Sequence, residues 1–503
     1  MANINLRDFP PLPSQGAKRH ARKSAHVKST DTRSRRGSGA SLNALPDELI
    51  LHILQYLPGI DLHDFQLRAL LNLSLTNWRL HRIVNEKIYE NYDSHFCEPY
   101  TFLRTMITNP ELADLVQEVS ISFGAWAHRE GQRHTATARD KKLIKEGLRA
   151  LAIPGWKDWA SDCNGSHYRD EAIYKAIPFY TRHLKSLQFQ GTIYPPSRSV
   201  DWFEVFSKTT AGILSDKAHG FQQLQSVKID SPSSSIIQIA PLFQLQSLQT
   251  LQLREVNGWR VGEDHALRLQ RLIPRTCNNL ENLSLEQSFY PKSTLIILLA
   301  SPRKLKSFKY ELTTENYPAM RLPRDESSVS LSHVLDCQKK TLQTIDVYCD
   351  QNQEVAQADV HVRDSLQDFS TLKWFICPLS MMMSSASDTF AERLPRSLLT
   401  FRAHIRPWTD DQDYIGGLEH MIANYQPHTP QLQEIIVASR QSAPWLKYDW
   451  GNLVQLSSKA GLDFKVDHEG DGSDKGFGSS WGEDSSVSSA SLDEVDLYSD
   501  DDG

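Results

Sequence analysis

The sequence has few cysteines and no long apolar run. Only six of its 503 residues are Cys, and none stands in a Cys-x-x-Cys pair or at metal-ligand spacing. Reduced thiols in an intracellular compartment account for this pattern better than a disulfide framework. No stretch approaches the roughly 20 apolar residues of a membrane span, and the N-terminus lacks the apolar core of a signal peptide. We therefore expect no membrane segment, no secretion and no metal site.

The sequence also lacks the motifs of several large enzyme classes. It contains no phosphate-binding G-x-x-x-x-G-K-[ST], no zinc-binding H-E-x-x-H and no Gly-rich dinucleotide turn after a predicted strand. A nucleophile, a base and an orienting group cannot be assembled from its residues. We predict no catalytic residues and no cofactor, and an enzyme with an unrecognised site is the least favoured alternative.

The charged residues are unevenly distributed, although the net charge is only −6. Residues 1–40 hold nine Lys or Arg against two acidic residues, and residues 466–503 hold twelve Asp or Glu against one Lys. Both segments are rich in Ser and Gly, so we predict two disordered tails. Basic runs within 18–36 resemble a bipartite nuclear import signal, which suggests a cytoplasmic or nuclear location. No aromatic residue interleaves them, so nucleic-acid binding is not expected.

Residues 42–92 have the pattern of a small helical domain. Pro46 and the two acidic residues after it suit the first turn of a helix, and Pro58-Gly59 would end that helix. Apolar residues at 45, 49, 53 and 57, reinforced by 50 and 54, predict one broad apolar face. Further apolar stretches lie on either side of Asn77. About fifty residues make a thin core, so we expect this domain to rest on a partner.

A second pattern, apolar-x-x-apolar-x-apolar and mostly beginning with Leu, recurs ten times in the rest of the chain. The alternating pair at the end of each unit predicts a short strand. In chain order the pairs are Val119 and Ile121, Leu187 and Phe189, Val227 and Ile229, Leu251 and Leu253, Leu283 and Leu285, Phe308 and Tyr310, Ile345 and Val347, Phe375 and Cys377, Phe401 and Ala403, and Ile435 and Val437.

Most of these units begin with a helical pattern, so the alternation predicts parallel strands with helices outside them. A single unit cannot bury its apolar face, and we expect the units to stack into a solenoid over residues 100–462. The spacing is irregular, with the largest insertion at 122–183, and the Asn or Cys expected after each strand is absent; position 288, for example, holds Ser. An ordinary mixed α/β domain is the alternative.

Residues 42–92 resemble the F-box, a three-helix module of cullin-based ubiquitin ligases. The resemblance rests on Leu45-Pro46-Asp47-Glu48-Leu49, on Asp61-Leu62 and on residues 71–80, which read LNLSLTNWRL. The F-box binds the adaptor subunit that bridges to a cullin. Carried over by position, the resemblance implies adaptor contact or its support for Leu45, Pro46, Leu49, Ile53, Leu57 and Trp78. Alternatively some of these residues, especially Leu49 and Ile53, fill the domain's own core.

An F-box followed by leucine-rich units is an arrangement known in this family, and it implies that the concave face of the array holds a target protein. Side chains between the core residues of each strand point to that face. The candidate substrate-binding residues are Arg254, Glu286, Lys309, Glu311, Tyr348, Trp374, Arg402 and His404. Their mixture of aromatic residues and both charge signs suits a protein-binding surface.

The sequence therefore predicts an α/β chain with an N-terminal three-helix F-box, an irregular leucine-rich-repeat solenoid and disordered termini. The expected function is that of a substrate-recognition subunit of an SCF-type ubiquitin ligase. Its expected partners are the adaptor, through it a cullin, and an unknown protein substrate. An F-box-containing interaction scaffold that acts outside ubiquitin ligation is the alternative.

Overall fold

The computed structural model describes residues 42–56, 63–95, 97–122, 134–165, 169–191, 203, 206–208, 212, 221–256, 258, 263–313, 328–350, 359–362, 364–383, 390–405, 415–439 and 450–468. The predicted tail at 1–40, residues 469–503 and Leu57 lie outside this set. No helix in the described part combines the length and the apolar composition that a membrane crossing requires.

Twelve parallel strands form one continuous sheet, and their order in space follows their order along the chain. Two further short strands, Ser328–Ser330 and Asp359–His361, pair in parallel with each other. The strands are β1 Asn91–Asp93, β2 Glu118–Ser122, β3 Ser186–Gln190, β4 Ser226–Asp230, β5 Thr250–Arg254, β6 Asn282–Glu286, β7 Ser307–Thr313, β8 Ser328–Ser330, β9 Thr344–Asp350, β10 Asp359–His361, β11 Trp374–Pro378, β12 Thr400–His404, β13 Glu434–Ser439 and β14 Asp463–His468. All ten predicted strands belong to the large sheet, so the predicted α/β class with a repeat-like parallel sheet is confirmed.

Helices precede the sheet and connect many of its strands. They are α1 Asp47–Gln55, α2 His63–Ser74, α3 Trp78–Glu90, α4 Pro99–Thr108, α5 Pro110–Ala113, α6 Ala138–Ala150, α7 Trp156–Asn164, α8 Arg169–Ala176, α9 Ile236–Ile239, α10 Glu263–Leu272, α11 Lys292–Ala300, α12 Leu331–Val334, α13 Leu379–Met382, α14 Ile415–Asn424 and α15 Gly451–Ala460. Short 3-10 turns lie at Leu42–Ala44, Ile177–Phe179, Ala240–Gln244, Asp336–Gln338 and Ala391–Arg393.

The two faces of the large sheet differ in burial. In β5, Leu251 and Leu253 are completely buried, whereas Thr250, Gln252 and Arg254 are partly exposed. Because side chains alternate along a strand, the same division repeats in the paired strands. We call the side that carries Thr250, Gln252, Arg254 and the residues in register with them the open face.

The sheet extends beyond the predicted array at both ends. β1 begins at Asn91 and pairs with β2, whereas the array was expected from residue 100. β14 pairs with β13 and ends at His468, so residues 466–468 belong to a strand instead of the predicted acidic tail. An acidic composition does not exclude a strand here, because Val466 is partly buried while Asp467 lies on the open face.

The ends of the strands show what replaces the expected Asn. Ser288 is completely buried, and its hydroxyl donates a hydrogen bond of 2.7 Å to the carbonyl oxygen of Glu286. Backbone N–H groups also bond across to the next strand, as from Ser288 to the Glu311 carbonyl at 3.2 Å. Glu255 and Gln287 turn the chain with φ values of 56° and 47°. Backbone bonds and a serine hydroxyl therefore satisfy polar groups at these turns.

Helix α6 lies within the long insertion at 122–183, and a charged cap fixes its first turn. Thr137 and Asp140 exchange the two hydrogen bonds of a capping box. Arg104 of α4 also donates to Asp140, at 3.3 Å. Burial alone would raise the pKa of Asp140, but the hydrogen bonds from Thr137, Arg104 and His134 outweigh it and lower the pKa to about 2. Asp140 therefore ties α6 to α4 as a carboxylate.

The N-terminal helices form a small domain with its own core. Ile50, Leu54, Leu70, Leu80, Ile83 and Val84 are its buried apolar residues. Asn77, which interrupts the apolar pattern, caps α3 by accepting a hydrogen bond of 2.9 Å from the Leu80 N–H. Pro46 directly precedes α1, one position earlier than predicted.

No linker separates this domain from the sheet. α3 ends at Glu90 and β1 begins at Asn91. The carbonyl oxygen of Glu90 accepts a hydrogen bond of 2.8 Å from the N–H of Gln117, just before β2. Tyr89 of α3 packs against the apolar core of the sheet. The last turn of α3 therefore belongs to both parts of the structure.

Candidate functional site

Helix α1 has two apolar rows with opposite environments. Ile50 and Leu54 are 1% and 3% exposed and face the small core, whereas Leu49 and Ile53 remain 49% and 46% exposed. Residues four apart lie on the same side of a helix, so each pair forms a row. The single broad face expected from the sequence is therefore divided. Leu49 and Ile53 do not fill the core, which was the alternative interpretation of these two residues.

Further exposed apolar side chains lie on the same small domain. Trp78, at the start of α3, is exposed and stacks on His81 with a centroid distance of 5.6 Å. Six of the ten exposed large apolar side chains within the described residues belong to this domain, although it is a small part of the chain. We call them the apolar patch; they are Leu42, Leu49, Ile53, Tyr56, Leu75 and Trp78.

The remaining predicted adaptor-binding residues have mixed environments. Leu45 is partly buried and packs against the small core, and its carbonyl oxygen accepts a hydrogen bond from Arg79 at 2.5 Å. Pro46 is exposed at the start of α1. Leu57 lies outside the described residues. Replacing Leu45 would therefore disturb the fold of the domain as well as its surface.

An ion-pair cluster holds α1 against α3. Asp47, in the first turn of α1, accepts from Arg79 at 2.8 Å through the Nε atom and also contacts Arg82. The hydrogen bond from Arg79, together with the charges of both arginines, lowers the pKa of Asp47 although partial burial opposes this. The cluster fixes the orientation of the helix that carries Leu49 and Ile53.

On the open face, three of the candidate substrate-binding residues belong to a charged network. Glu286 accepts hydrogen bonds of 2.9 Å from Lys309, Gln252 and Ser284. Arg254 donates to Gln287 at 2.9 Å, and its Nε atom lies 3.9 Å from the nearer carboxylate oxygen of Asp230. These groups lie on neighbouring strands, where paired positions face each other. We call them the charged network.

Burial shapes the charges of this network. It raises the pKa of Asp230 and lowers that of Lys228, the basic residue on the same strand. Burial would also raise the pKa of Glu286, but the hydrogen bond and charge of Lys309 lower it overall. Burial alone would lower the pKa of Lys309, but the hydrogen bond to Glu286 and the charge of Glu286 outweigh it and raise the pKa. Glu286 and Lys309 therefore stabilise each other's charged forms near neutral pH.

The other five candidates lie on β7 to β12. Glu311 pairs in register with Tyr348, whose ring meets His404 edge-on at 5.7 Å. His404 is buried, so the expectation that its side chain lies open to a target is not met. Arg402 donates to Asp467 of β14 at 3.0 Å. Trp374 begins β11 and is 50% exposed.

Several residues on these surfaces were absent from the sequence-based predictions. Tyr56 and Leu75 of the apolar patch directly follow the ends of the observed helices α1 and α2, although the sequence pattern continues the predicted helices through both positions. Ile376 and Ile436 lie on the open face next to the candidates. The two-residue alternation within each strand contains the signal that would have found them.

Comparison with known proteins identifies one part of the chain. Residues 42–94 match the F-box-like family model. No curated protein matches the chain. An F-box-like domain generally indicates an adaptor role in SCF-type ubiquitin ligases, in which it is typically a non-catalytic module that binds the adaptor leading to the cullin. The chain therefore contains an F-box-like domain at residues 42–94, which precedes a repeat-like parallel sheet.

Proposed function

We propose that this chain is the substrate-recognition subunit of an SCF-type ubiquitin ligase. Its F-box-like domain binds the adaptor through the apolar patch, and the open face of the sheet binds a target protein. The chain performs no bond chemistry in this role. It holds the target near the transferring subunits, so that ubiquitin transfer becomes effectively intramolecular.

The exposure of the apolar patch is the observation that carries this proposal. Exposed apolar side chains concentrated on one small domain indicate an interaction site, and a few apolar or aromatic anchors supply most of the energy of an interface. Leu49, Ile53 and Trp78 lie in the patch and are also positions that the resemblance assigns to adaptor contact. Two independent arguments thus point to the same surface.

Reconstitution with purified adaptor and cullin tests the proposal. The full-length chain is expected to co-elute with both proteins, and substitution of Leu49 and Ile53 by Ala should strongly reduce the co-eluting fraction. The matched control replaces Leu267 and Ile296, which are also exposed but lie on α10 and α11. Because the four side chains are aliphatic and exposed, the control removes a comparable apolar surface elsewhere.

The same reconstitution separates a ligase subunit from a scaffold. With ubiquitin, its activating and conjugating enzymes and a bound partner protein, the intact chain should promote ubiquitin transfer to that partner. Stable assembly without any transfer would favour a scaffold. Absence of assembly between the intact chain and the adaptor would exclude the proposed function.

A further inference from the structure

The open face consists of two halves with different chemistry. On β4 to β7, the polar groups of the charged network bond to one another, as Glu286 does with Lys309, Gln252 and Ser284. A partner that bound there would have to replace bonds that already exist. The half that extends from β9 to β14 also contains ion pairs, but within the described residues it is the half that carries an exposed large apolar side chain, so it is the more suitable binding surface.

Trp374 is the distinguishing residue of that second half. It is the one large apolar side chain that is exposed on a strand in the described part of the chain. Its neighbours in register are Thr344 on β9 and Thr400 on β12. Because both neighbouring side chains are small, the indole ring projects further from the open face than they do. An exposed Trp of this kind is a typical anchor of protein interfaces.

Acidic residues lie on strands to either side of this anchor. Asp346 on β9 pairs in register with Ile376, which lies two residues after Trp374 on β11. Glu434 on β13 pairs in register with Thr400, on the side of β12 that is away from Trp374. Asp463 and Asp467 follow on β14. These four carboxylates outnumber the three cations next to them on the open face, which are Arg402, Lys465 and Lys309, the register partner of Asp346. All three cations already form ion pairs, Arg402 with Asp467, Lys465 with Glu434 and Asp463, and Lys309 with Glu286.

We infer that the target docks on this half through a basic segment, with a Lys or Arg side chain lying on the ring of Trp374 between Asp346 and Glu434. A cation over the face of an indole is attracted by the ring, and Arg also stacks on it. The surplus of carboxylates gives the complementary charge that selects such a partner. This inference rests on the proposed function and names the chemistry of its target.

The chain's own basic segment is the competing occupant. Residues 18–36 join the described structure at Leu42, beside the F-box-like domain. β1 and β11 are separated by eight strand spacings in the sheet order, which at about 4.8 Å each amount to roughly 38 Å. A segment of another polypeptide does not have to span this distance, and it is the occupant to which the inference commits.

Selection of peptides against the full chain, bound to its adaptor, tests the inference. The probe is a phage-displayed library of random dodecapeptides, which makes no assumption about charge. The expected result is enrichment of Lys and Arg among the selected peptides. Trp374→Ala should weaken the best peptide about tenfold, and Asp346→Asn or Glu434→Gln about threefold each. Trp374→Phe should retain much of the affinity, because the aromatic face is kept.

Each other outcome has a defined meaning. Selected peptides without basic residues, no enrichment at all, or full affinity in Trp374→Ala would overturn the inference. Tighter peptide binding after deletion of residues 1–40 would show that the chain's own segment occupies the site, and would overturn it too. Leu267→Ala serves as the matched control, since that residue is 52% exposed on a helix. Adaptor binding is measured on every variant, so failure of the proposed function appears separately, as loss of adaptor binding by the unmodified chain.

Discussion

The double substitution of Leu49 and Ile53 by Ala should weaken adaptor binding by a predictable amount. About half of each side chain is exposed in the free chain, at 49% and 46%. Complete burial of a Leu or Ile side chain contributes roughly 1.5–3 kcal/mol, so burial of the exposed half contributes about 1 kcal/mol for each residue. The pair therefore accounts for about 2 kcal/mol, which corresponds to a roughly 30-fold increase in Kd.

Isothermal titration calorimetry with purified adaptor measures this change directly. The variant must remain folded, which is expected because neither residue belongs to the small core. Far-ultraviolet circular dichroism and a thermal melt verify this. Replacement of Leu267 and Ile296 should leave Kd unchanged. If the double variant bound the adaptor as tightly as the unmodified chain while the fold was intact, the assignment of the apolar patch as the docking surface would be refuted.

Three further predictions concern the fold that carries these surfaces. The pKa of Asp140 in the folded chain is about 2, below its ordinary 3.8, so the stabilisation that its carboxylate provides is complete above about pH 4 and is lost as the pH falls towards 2. Asp140→Asn should therefore reduce the amide hydrogen-exchange protection of α6 at pH 7 by an amount equivalent to about 1–2 kcal/mol. The difference between the two proteins should shrink in acid. In Gly258→Ala the new Cβ would lie 2.0 Å from Cδ1 of Tyr290, so thermal melts should show destabilisation of about 1–3 kcal/mol, and an unchanged melt would contradict the close packing. Asn77→Ala removes the cap of α3 and should cost the F-box-like domain about 1 kcal/mol, seen as faster hydrogen exchange in α3 without change in the distant β11 to β13.

The interior strands of the sheet were predictable because their burial pattern is local. In the fourth unit, Leu248, Leu251 and Leu253 are all completely buried. One apolar residue before the strand and two alternating ones within it suffice to identify the unit. A strand with a neighbour on each side repeats this pattern in the same register, so ten irregularly spaced units could still be recognised.

The two edge strands were missed for a physical reason. β1 buries only Tyr92 among its three residues, and Phe464 and Val466 of β14 are partly buried. A strand at the end of a solenoid has one neighbour instead of two, so fewer of its positions need apolar residues. The surrounding acidic residues then made the sequence of β14 resemble the start of a tail.

The two candidate surfaces depended on tertiary structure in different ways. Leu49 and Ile50 are similar apolar residues in adjacent positions, and only the packing of α2 and α3 against α1 decides which of them is buried. The pairing of Glu286 with Lys309 depends on the register between β6 and β7. That register follows from aligning the repeated units, but the hydrogen bonds from Gln252 and Ser284 require the actual positions of the side chains.

The continuity between α3 and β1 links the two surfaces mechanically. A ubiquitin-ligase receptor gains its effect by proximity, which requires that the adaptor surface and the target surface keep a defined separation. A flexible linker would lower the effective concentration of the target near the transferring subunits. Here Tyr89 of α3 packs against the core of the sheet, and the Glu90 carbonyl accepts a hydrogen bond from the Gln117 N–H. The small domain is thus supported by the sheet at the end of α3, while the side chains of its apolar patch remain exposed, as the proposed receptor role requires.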